Sequence, residues 1–451
     1  MRTDPDTVAA KITVAHEHWL IRFEELMDRI ADCFPRRETR MTCRNMIEAI
    51  LTVQETANCW TLAESIGHRG PHVLQHFLSR ARWNDDSVRD RVAAWAVGEL
   101  GDTGVVLVVD ETGDEKSSTD AVGASRQYSG ALGGVGLCQV AVHLSYATAA
   151  GHTLIDRRLF LPSGWAADEE RRELAGVPEE VMFASKPQLA VDMLARLHAG
   201  GVTEAWVAAD EVYGGRETRT AIRDLAYRYV VAVKTDHRVT VPAGTFTVTD
   251  LVKGLPVRSW QRLRTGSGTK GDRNYDWAVI DVLADDTPDG HPAGNSTLLV
   301  RRHRYTGTLS FYRCWSDAPH PLQELVGVVC RRWRIEEDFQ AAKGLTGLDQ
   351  GQVTGWTSWH RWSLMSMVAY ALLAVTASLE RGDTTQTGEV ELVPVSCREL
   401  VKLLRGFALP RPRQDIDPEH ALRWSLWRRR HQYRAATCHR RWNEATAASI
   451  T

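Results

Sequence analysis

No two of the eight cysteines in this chain form a Cys-x-x-Cys pair; they are scattered at 33, 43, 59, 138, 314, 330, 397 and 438. No Cys/His set has the spacing of a zinc site, and Cys438 beside His439 reads as two ordinary residues. The pattern is that of a reduced, cytosolic protein. An excess of one charge is also missing: 55 Lys and Arg against 57 Asp and Glu leave a formal net charge of −2. That excludes a uniformly basic coat for nucleic acid, but an average is silent about local clusters. The opening segment MRTDPDTVAAKITVAHEHW lacks the apolar core of a signal peptide. The most hydrophobic stretch, around Leu364 to Leu379, is interrupted by Ser366 and Thr376 and reads as a buried core helix too short to span a membrane. No internal repeat is visible.

What remains is a folded chain whose 451 residues call for two to four structural units. The first hundred residues read as helices, with Trp19, Leu20, Phe23, Leu26, Met27 and Ile30 in one helical stripe and Met46, Ile47, Ile50 and Leu51 opening another. The segment TLAESIGHRGPHVLQHFLSRARW predicts two short helices about a Gly-His-Arg-Gly-Pro break. It is either a helix-turn-helix offering Gln75, His76, Arg80 and Arg82 to DNA or a plain helical hairpin, the second being preferred. From Gly104 the character changes. VVLVVD, CQVAVHLSYAT and TLIDRRLFLP read as strands, followed by helix KPQLAVDMLARLHAG, strand AWVAAD, helix RETRTAIRDLAYR and strand YVVAVK. That order predicts an α/β unit with a mixed sheet. Residues 239–320 alternate as short strands between polar turns and read as a β-rich insertion. Helical sequence resumes at Pro321, RGDTTQTGEVE reads as a flexible linker, and a basic helical tail closes the chain.

Asp110 and Asp210 each end a predicted buried strand, where open α/β sheets collect ligands. Singly, each is more often a turn or capping residue. In RRWRIEEDFQAAKGL, helical spacing puts Arg332, Glu336 and Lys343 on one face, beside an apolar stripe of Ile335, Phe339 and Ala342. Alone, such charges mean a solvated helix. Together, three carboxylates are a donor set for Mg²⁺, with Arg332 and Lys343 beside them for phosphate.

These residues resemble the DDE transposases of bacterial insertion sequences, most closely the insertion-sequence 701 type, a relative of the insertion-sequence 4 group. The spacing Arg332-x3-Glu336-x6-Lys343 matches that group's Y-x2-R-x3-E-x6-K signature, with Val329 in place of its tyrosine. DETGDEKSS, RQYSG, CQVAV, ADEVYGG, YVVAVK, WTSWHRW and WSLWRRRHQYRAATCHRRW extend the resemblance from Arg82 to Trp442.

The resemblance implies an RNase H-like mixed sheet carrying Asp110, Asp210 and Glu336 as catalytic, metal-binding triad, with Glu337 the displaced competitor. It implies Mg²⁺, replaceable by Mn²⁺, and cleavage of duplex DNA at the element's inverted-repeat ends by two-metal hydrolysis, followed by joining of the 3′-hydroxyl to target DNA. A homodimer on DNA, without a membrane, in the bacterial cytoplasm and on the nucleoid, completes the picture.

The domain boundaries follow as 1–100 helical and DNA-binding, 101–238 first part of the catalytic core, 239–320 insertion, 321–380 second part of the core, and 381–451 linker and tail. Arg126 and Tyr128 after the first catalytic strand, Lys234, Arg332, Lys343, Arg428, Arg429 and Arg430 are the candidate DNA contacts. In the tail, Trp424, Trp427, Tyr433 and Trp442 are equally well placed to stack on bases or to pack on the core. His360 reads as a structural histidine. Two rivals stay open: a domesticated or decayed relative that binds DNA without cutting it, and a hydrolase of another class, such as a glycosidase using paired carboxylates.

Overall fold

The computed structural model describes residues 5–268, 271–386 and 395–448. Its centre is a ten-stranded mixed sheet. Strands β1 (Val106–Glu115), β2 (Ser125–Ser129), β3 (Gly134–Ala147) and β4 (His152–Leu159) pair antiparallel through β3. Then β5 (Trp206–Ala209) and β6 (Arg228–Val233) run parallel to β1, each reached through a helix. This is the mixed α/β sheet that the strand and helix order predicted. Val105 to Val109 are at most 4% exposed because β1 is flanked by β3 and β5 and both faces of the sheet are covered. Alternate residues enter different cores. Val106, Val108, Trp206, Ala208 and Val230 pack on one face. Leu107, Val109, Val207, Ala209 and Val231 pack on the other.

The segment read as an insertion forms a β7 (Arg238–Val241) and β8 (Gly244–Thr247) hairpin and then β9 (Gln261–Gly268), β10 (Gly271–Asp281), β11 (Asn295–Arg302) and β12 (Leu309–Ser316). Its last four strands extend the central sheet, since β12 pairs antiparallel with β6 and the order continues through β11 and β10 to β9. A buried charge cluster fastens this extension. Arg219 and Arg223, on the helix between β5 and β6, meet Asp285 and Asp286 at 2.7–2.9 Å, and Arg313 of β12 joins Asp285 at 2.8 Å.

The first hundred residues are helical, and their apolar stripes share a continuous core with the sheet and with the helix Trp356–Gln386. That helix is longer than its sequence suggested, because Ser366 and Thr376 bond within the core instead of ending it. It is apolar and long enough to cross a membrane, yet 89% of its most apolar window is buried inside the protein. Arg381–Gln386, expected in a linker, finish this helix, and 387–391 of that expected linker lie outside the described residues. None of the eight cysteines is in a disulfide.

Candidate active site

Strand parity builds the site. Asp110 follows Val106 and Val108 on one face of β1, and Asp210 follows Trp206 and Ala208 on the same face of its neighbour. The parallel register matches Val109 with Ala209, so the two aspartates are the next pair across the sheet, where β5 stops. Sequence placed Asp110 at a strand end. In fact β1 continues to Glu115, held by β3 alone, and Asp110 sits where its parallel partner leaves it. After Asp210 the chain turns tightly: Asp210 Oδ1 accepts from Val212 N at 2.9 Å, and a β-carbon on Gly214 would run into the carbonyl of Ala232. Glycine at 214 lets the loop lie against β6.

The electrostatics are those of an under-compensated acidic pair. Burial, then repulsion from Asp210 with a smaller share from Glu336, lifts the Asp110 carboxyl to about 7, against the pull of Arg332 and of its own following amide. Asp210 is raised as well, chiefly by burial, with Val212 N–H and Arg332 opposing. Arg332 Nη1 lies 3.4 Å from Asp110 Oδ2.

The signature residues expected on one helix occupy two. Leu322–Arg332 ends beside Trp333 and a new helix, Arg334–Thr346, begins. Trp333 keeps helical dihedrals, so the chain direction is nearly preserved, but its turn is tightened: Glu336 N bonds to Trp333 O at 3.2 Å. Val326, Val329, Ile335, Phe339 and Ala342 press these helices onto the face that carries Asp110 and Asp210. Glu336 therefore stands in the first turn of a helix above the aspartates, half-buried. Lys343, two turns on, donates to Gly113 O at 3.1 Å and pairs with Asp114 at 3.3 Å, farther along β1 than Asp110.

Glu337 points elsewhere, pairing with Arg334 at 2.6 Å and with His152 at 3.3 Å. Burial opposes charge on His152, but Asp338 and Glu337 overcome it and raise the imidazole to about 9. Among the described residues, no three His, Cys, Asp or Glu side chains are gathered closely enough to hold a metal ion as they stand. The donor chemistry still suits one: Asp110, Asp210 and Glu336 offer only hard carboxylate oxygens, the preference of Mg²⁺, and both the burial and the Asp210 repulsion that raise the Asp110 carboxyl would be offset by a bound cation.

Sequence reasoning missed several neighbours. Glu111, on the opposite face of β1, accepts from Lys186 at 2.7 Å and from the Tyr213 hydroxyl, joining β1 to the loop after Asp210. His143 lies directly across from Asp110 in the β1–β3 register, 2% exposed, with its ring against Phe339. Neither had a spacing signal, because each is defined by partners distant in sequence, a helix and a loop for Glu111 and a paired strand for His143. His360 is structural: its Nδ1 bonds to Trp356 O at 3.0 Å.

The candidate DNA contacts fall into separate groups. Arg126 and Tyr128 are exposed on β2 at alternate positions, hence on one face, and Lys234 is exposed just after β6. The tail is the helix Pro418–Ala448, and it divides its aromatics. Trp424 is buried, donating to His68 O at 2.8 Å, and Trp427 packs on Trp60 at 4.6 Å, whereas Tyr433 and Trp442 are 72% and 69% exposed. Arg428 is committed to an ion pair with Glu64, while Arg429 and Arg430 are exposed. The tail thus docks on the two short helices Cys59–Ser65 and His72–Ser79 around the Gly-His-Arg-Gly-Pro break.

A family model described as DDE superfamily endonuclease matches residues 29–256, and one described as Transposase DDE domain matches residues 184–372. The probable transposase for insertion sequence element IS701 of Microchaete diplosiphon is 26% identical over 182 residues, which are 40% of this chain and 45% of that protein. The match therefore spans under half the length of that relative. A cryo-EM structure of a piggyBac transposase synaptic complex with hairpin DNA covers 86% of this chain and 79% of its own at 12% identity, with a TM-score of 0.41.

Proposed function

Since this chain belongs to the DDE superfamily of endonucleases, we propose that it is a transposase of the insertion-sequence 701 type, which cuts duplex DNA at the element's inverted-repeat ends and joins the freed 3′-hydroxyl to target DNA. The observation that supports this most is the placement of Asp110 on β1 next to Asp210 just past the end of its parallel neighbour β5, under the helix that brings Glu336 and beside Arg332. These three carboxylates would hold Mg²⁺, or Mn²⁺ in its place. When bound, divalent ions supply an activated nucleophile and neutralise charge building on the scissile phosphate.

The chain's own groups do the rest. Burial of Asp110 keeps bulk water from screening the site. Arg332, already against Asp110, is placed to take a phosphate oxygen once a cation relieves it of that partner. Lys343 fastens the Glu336 helix to β1 through Gly113 and Asp114, and would meet DNA only by exchanging those partners. Exposed Arg126, Tyr128 and Lys234 border the same sheet, and Arg429 and Arg430 offer a backbone contact from the tail. Two element ends have to be brought together, so a homodimer on DNA is part of the proposal.

The test is cleavage of a labelled duplex carrying the inverted repeats that flank the gene, in Mg²⁺ and in EDTA. Cutting at the repeat boundary only in Mg²⁺ is expected. Tight binding with no cutting in Mg²⁺ or Mn²⁺ would identify a DNA-binding relic instead. For the tail, the double variant Arg429→Ala/Arg430→Ala weakens duplex binding and lowers the slope of log affinity against log salt by about 2. An unchanged slope would remove both arginines from the interface.

A further inference from the structure

Asp338 carries no part of the expected triad, yet it is the most elaborately held carboxylate near it. It is fully buried, at 0% exposure. The Tyr370 hydroxyl donates to its Oδ1 at 2.6 Å, His152 Nδ1 meets the same oxygen at 2.7 Å, and the Ser145 hydroxyl donates to Oδ2. These partners come from three elements: β3, the first residue of β4, and the helix Trp356–Gln386. Ser145 pairs with Val108, so the cluster lies beside β1 just before Asp110.

We infer that Asp338, with His152 and Tyr370, is a positioning device that sets the rotation of the Arg334–Thr346 helix and so aims Glu336 at the Asp110–Asp210 pair. The need for it arises from the break at Trp333. Glu336 sits in the first turn after it, where the backbone tightens away from α geometry, so its azimuth is not that of one continuous α-helix. The apolar stripe of Ile335, Phe339 and Ala342 holds the helix down, but apolar packing is non-directional and tolerates a turn of the helix about its axis. Hydrogen bonds are not tolerant of that turn. Residues 336 and 338 are about 200° apart around a helix at 3.6 residues per turn, so fixing the azimuth of one fixes that of the other. The far end is held independently, where Thr346 Oγ1 meets Ser366 Oγ at 3.0 Å and Gly347 stops the helix in a left-handed conformation at φ 67°. Lys343 also fastens the helix to β1, and at the Glu336 end Asp338 is the fully buried anchor, with its neighbour Glu337 meeting the same His152 at the half-exposed rim.

This inference rests on Glu336 being a metal ligand, and its experiment separates the two. Asp338→Asn and Tyr370→Phe are compared with Tyr227→Phe, which removes a buried hydroxyl bond to Val202 O far from the site. Mn²⁺ binding to the protein–duplex complex is read by electron paramagnetic resonance, alongside duplex affinity, thermal stability and the Mg²⁺ dependence of cutting. The expected result is a loss of about tenfold or more in Mn²⁺ affinity and a matching rise in half-saturating Mg²⁺ for the Asp338 and Tyr370 variants. Duplex affinity stays within about twofold and Tyr227→Phe leaves metal affinity unchanged. Should Asp338→Asn fail to fold, Tyr370→Phe alone decides. Lower thermal stability with wild-type metal affinity would overturn the inference and leave Asp338 a purely structural hub. If Glu336→Gln itself binds Mn²⁺ like wild type, the assignment of the ligand falls first, and the inference with it.

Discussion

Asp110→Asn loses Mg²⁺-dependent cutting by roughly a thousandfold or more while still binding the duplex, since a preorganised site that loses one charge-stabilising group forfeits about that much. The same variant is more stable than wild type in EDTA at pH 8. The folded-state carboxyl titrates near 7 instead of its ordinary 3.8, mainly because it is buried and then because Asp210 repels it. Folding therefore favours the protonated form. This residue's contribution is fully present below about pH 4 and is lost progressively as pH rises through 7, with an upper bound of roughly 4 kcal/mol. Asn carries no charge and escapes that loss. Denaturant titrations of both proteins at pH 4 and pH 8 in EDTA check it: the curves converge at the lower pH and separate at the higher, with Asn ahead. Adding Mg²⁺ at pH 8 stabilises wild type and not the variant. An Asn protein that cuts normally removes Asp110 from the site, and one that is less stable at pH 8 refutes the electrostatic account.

The second large effect concerns folding. Asp286→Ala destabilises the protein by about 3–5 kcal/mol, the cost of removing one partner from a buried ionic cluster. Asp286 is 1% exposed and accepts from Arg219 at 2.8 Å, Arg223 at 2.7 Å and the Tyr229 hydroxyl. Arg219 and Arg223 are themselves at most 1% exposed. Asp285 cannot take over, because it already holds Arg219 with both oxygens and Arg313 with one. Burial works against its charge, but these arginines keep it ionised well below the usual carboxylate range. The loss is measured by urea unfolding, with Asp286→Asn, which retains an acceptor, expected to lose less. A change under about 1 kcal/mol would mean that the two guanidiniums find water or other acceptors. A loss of the expected size is a large fraction of the roughly 5–15 kcal/mol by which domains are stable.

Much of the site was legible because its signals are local. A β-branched run ending in aspartate marks a buried strand whatever surrounds it, and VVLVVD and AWVAAD both became central strands. The three spaced charges of the signature segment are equally local, as is the arginine-rich tail. Asp338 and His143 were not legible. One is a third acidic residue in a run of three, the other a histidine inside a hydrophobic strand. Their partners, Ser145, His152 and Tyr370 for the first and the Asp110 register for the second, are set by strands and helices far apart in the chain.

The sequence by itself determined the alternation of faces along each strand, the order of strands and helices, and which residue types could meet a divalent cation or a phosphate. It did so because period, length and side-chain chemistry are properties of short segments. Only the tertiary structure decided that the segment read as an insertion continues the central sheet from β6, that the signature segment tightens into a second helix at Trp333, and that Arg428 and Trp424 hold the tail while Arg429 and Arg430 face outward. Each of those depends on which surfaces meet, and burial, unlike periodicity, exists only once distant segments are packed together.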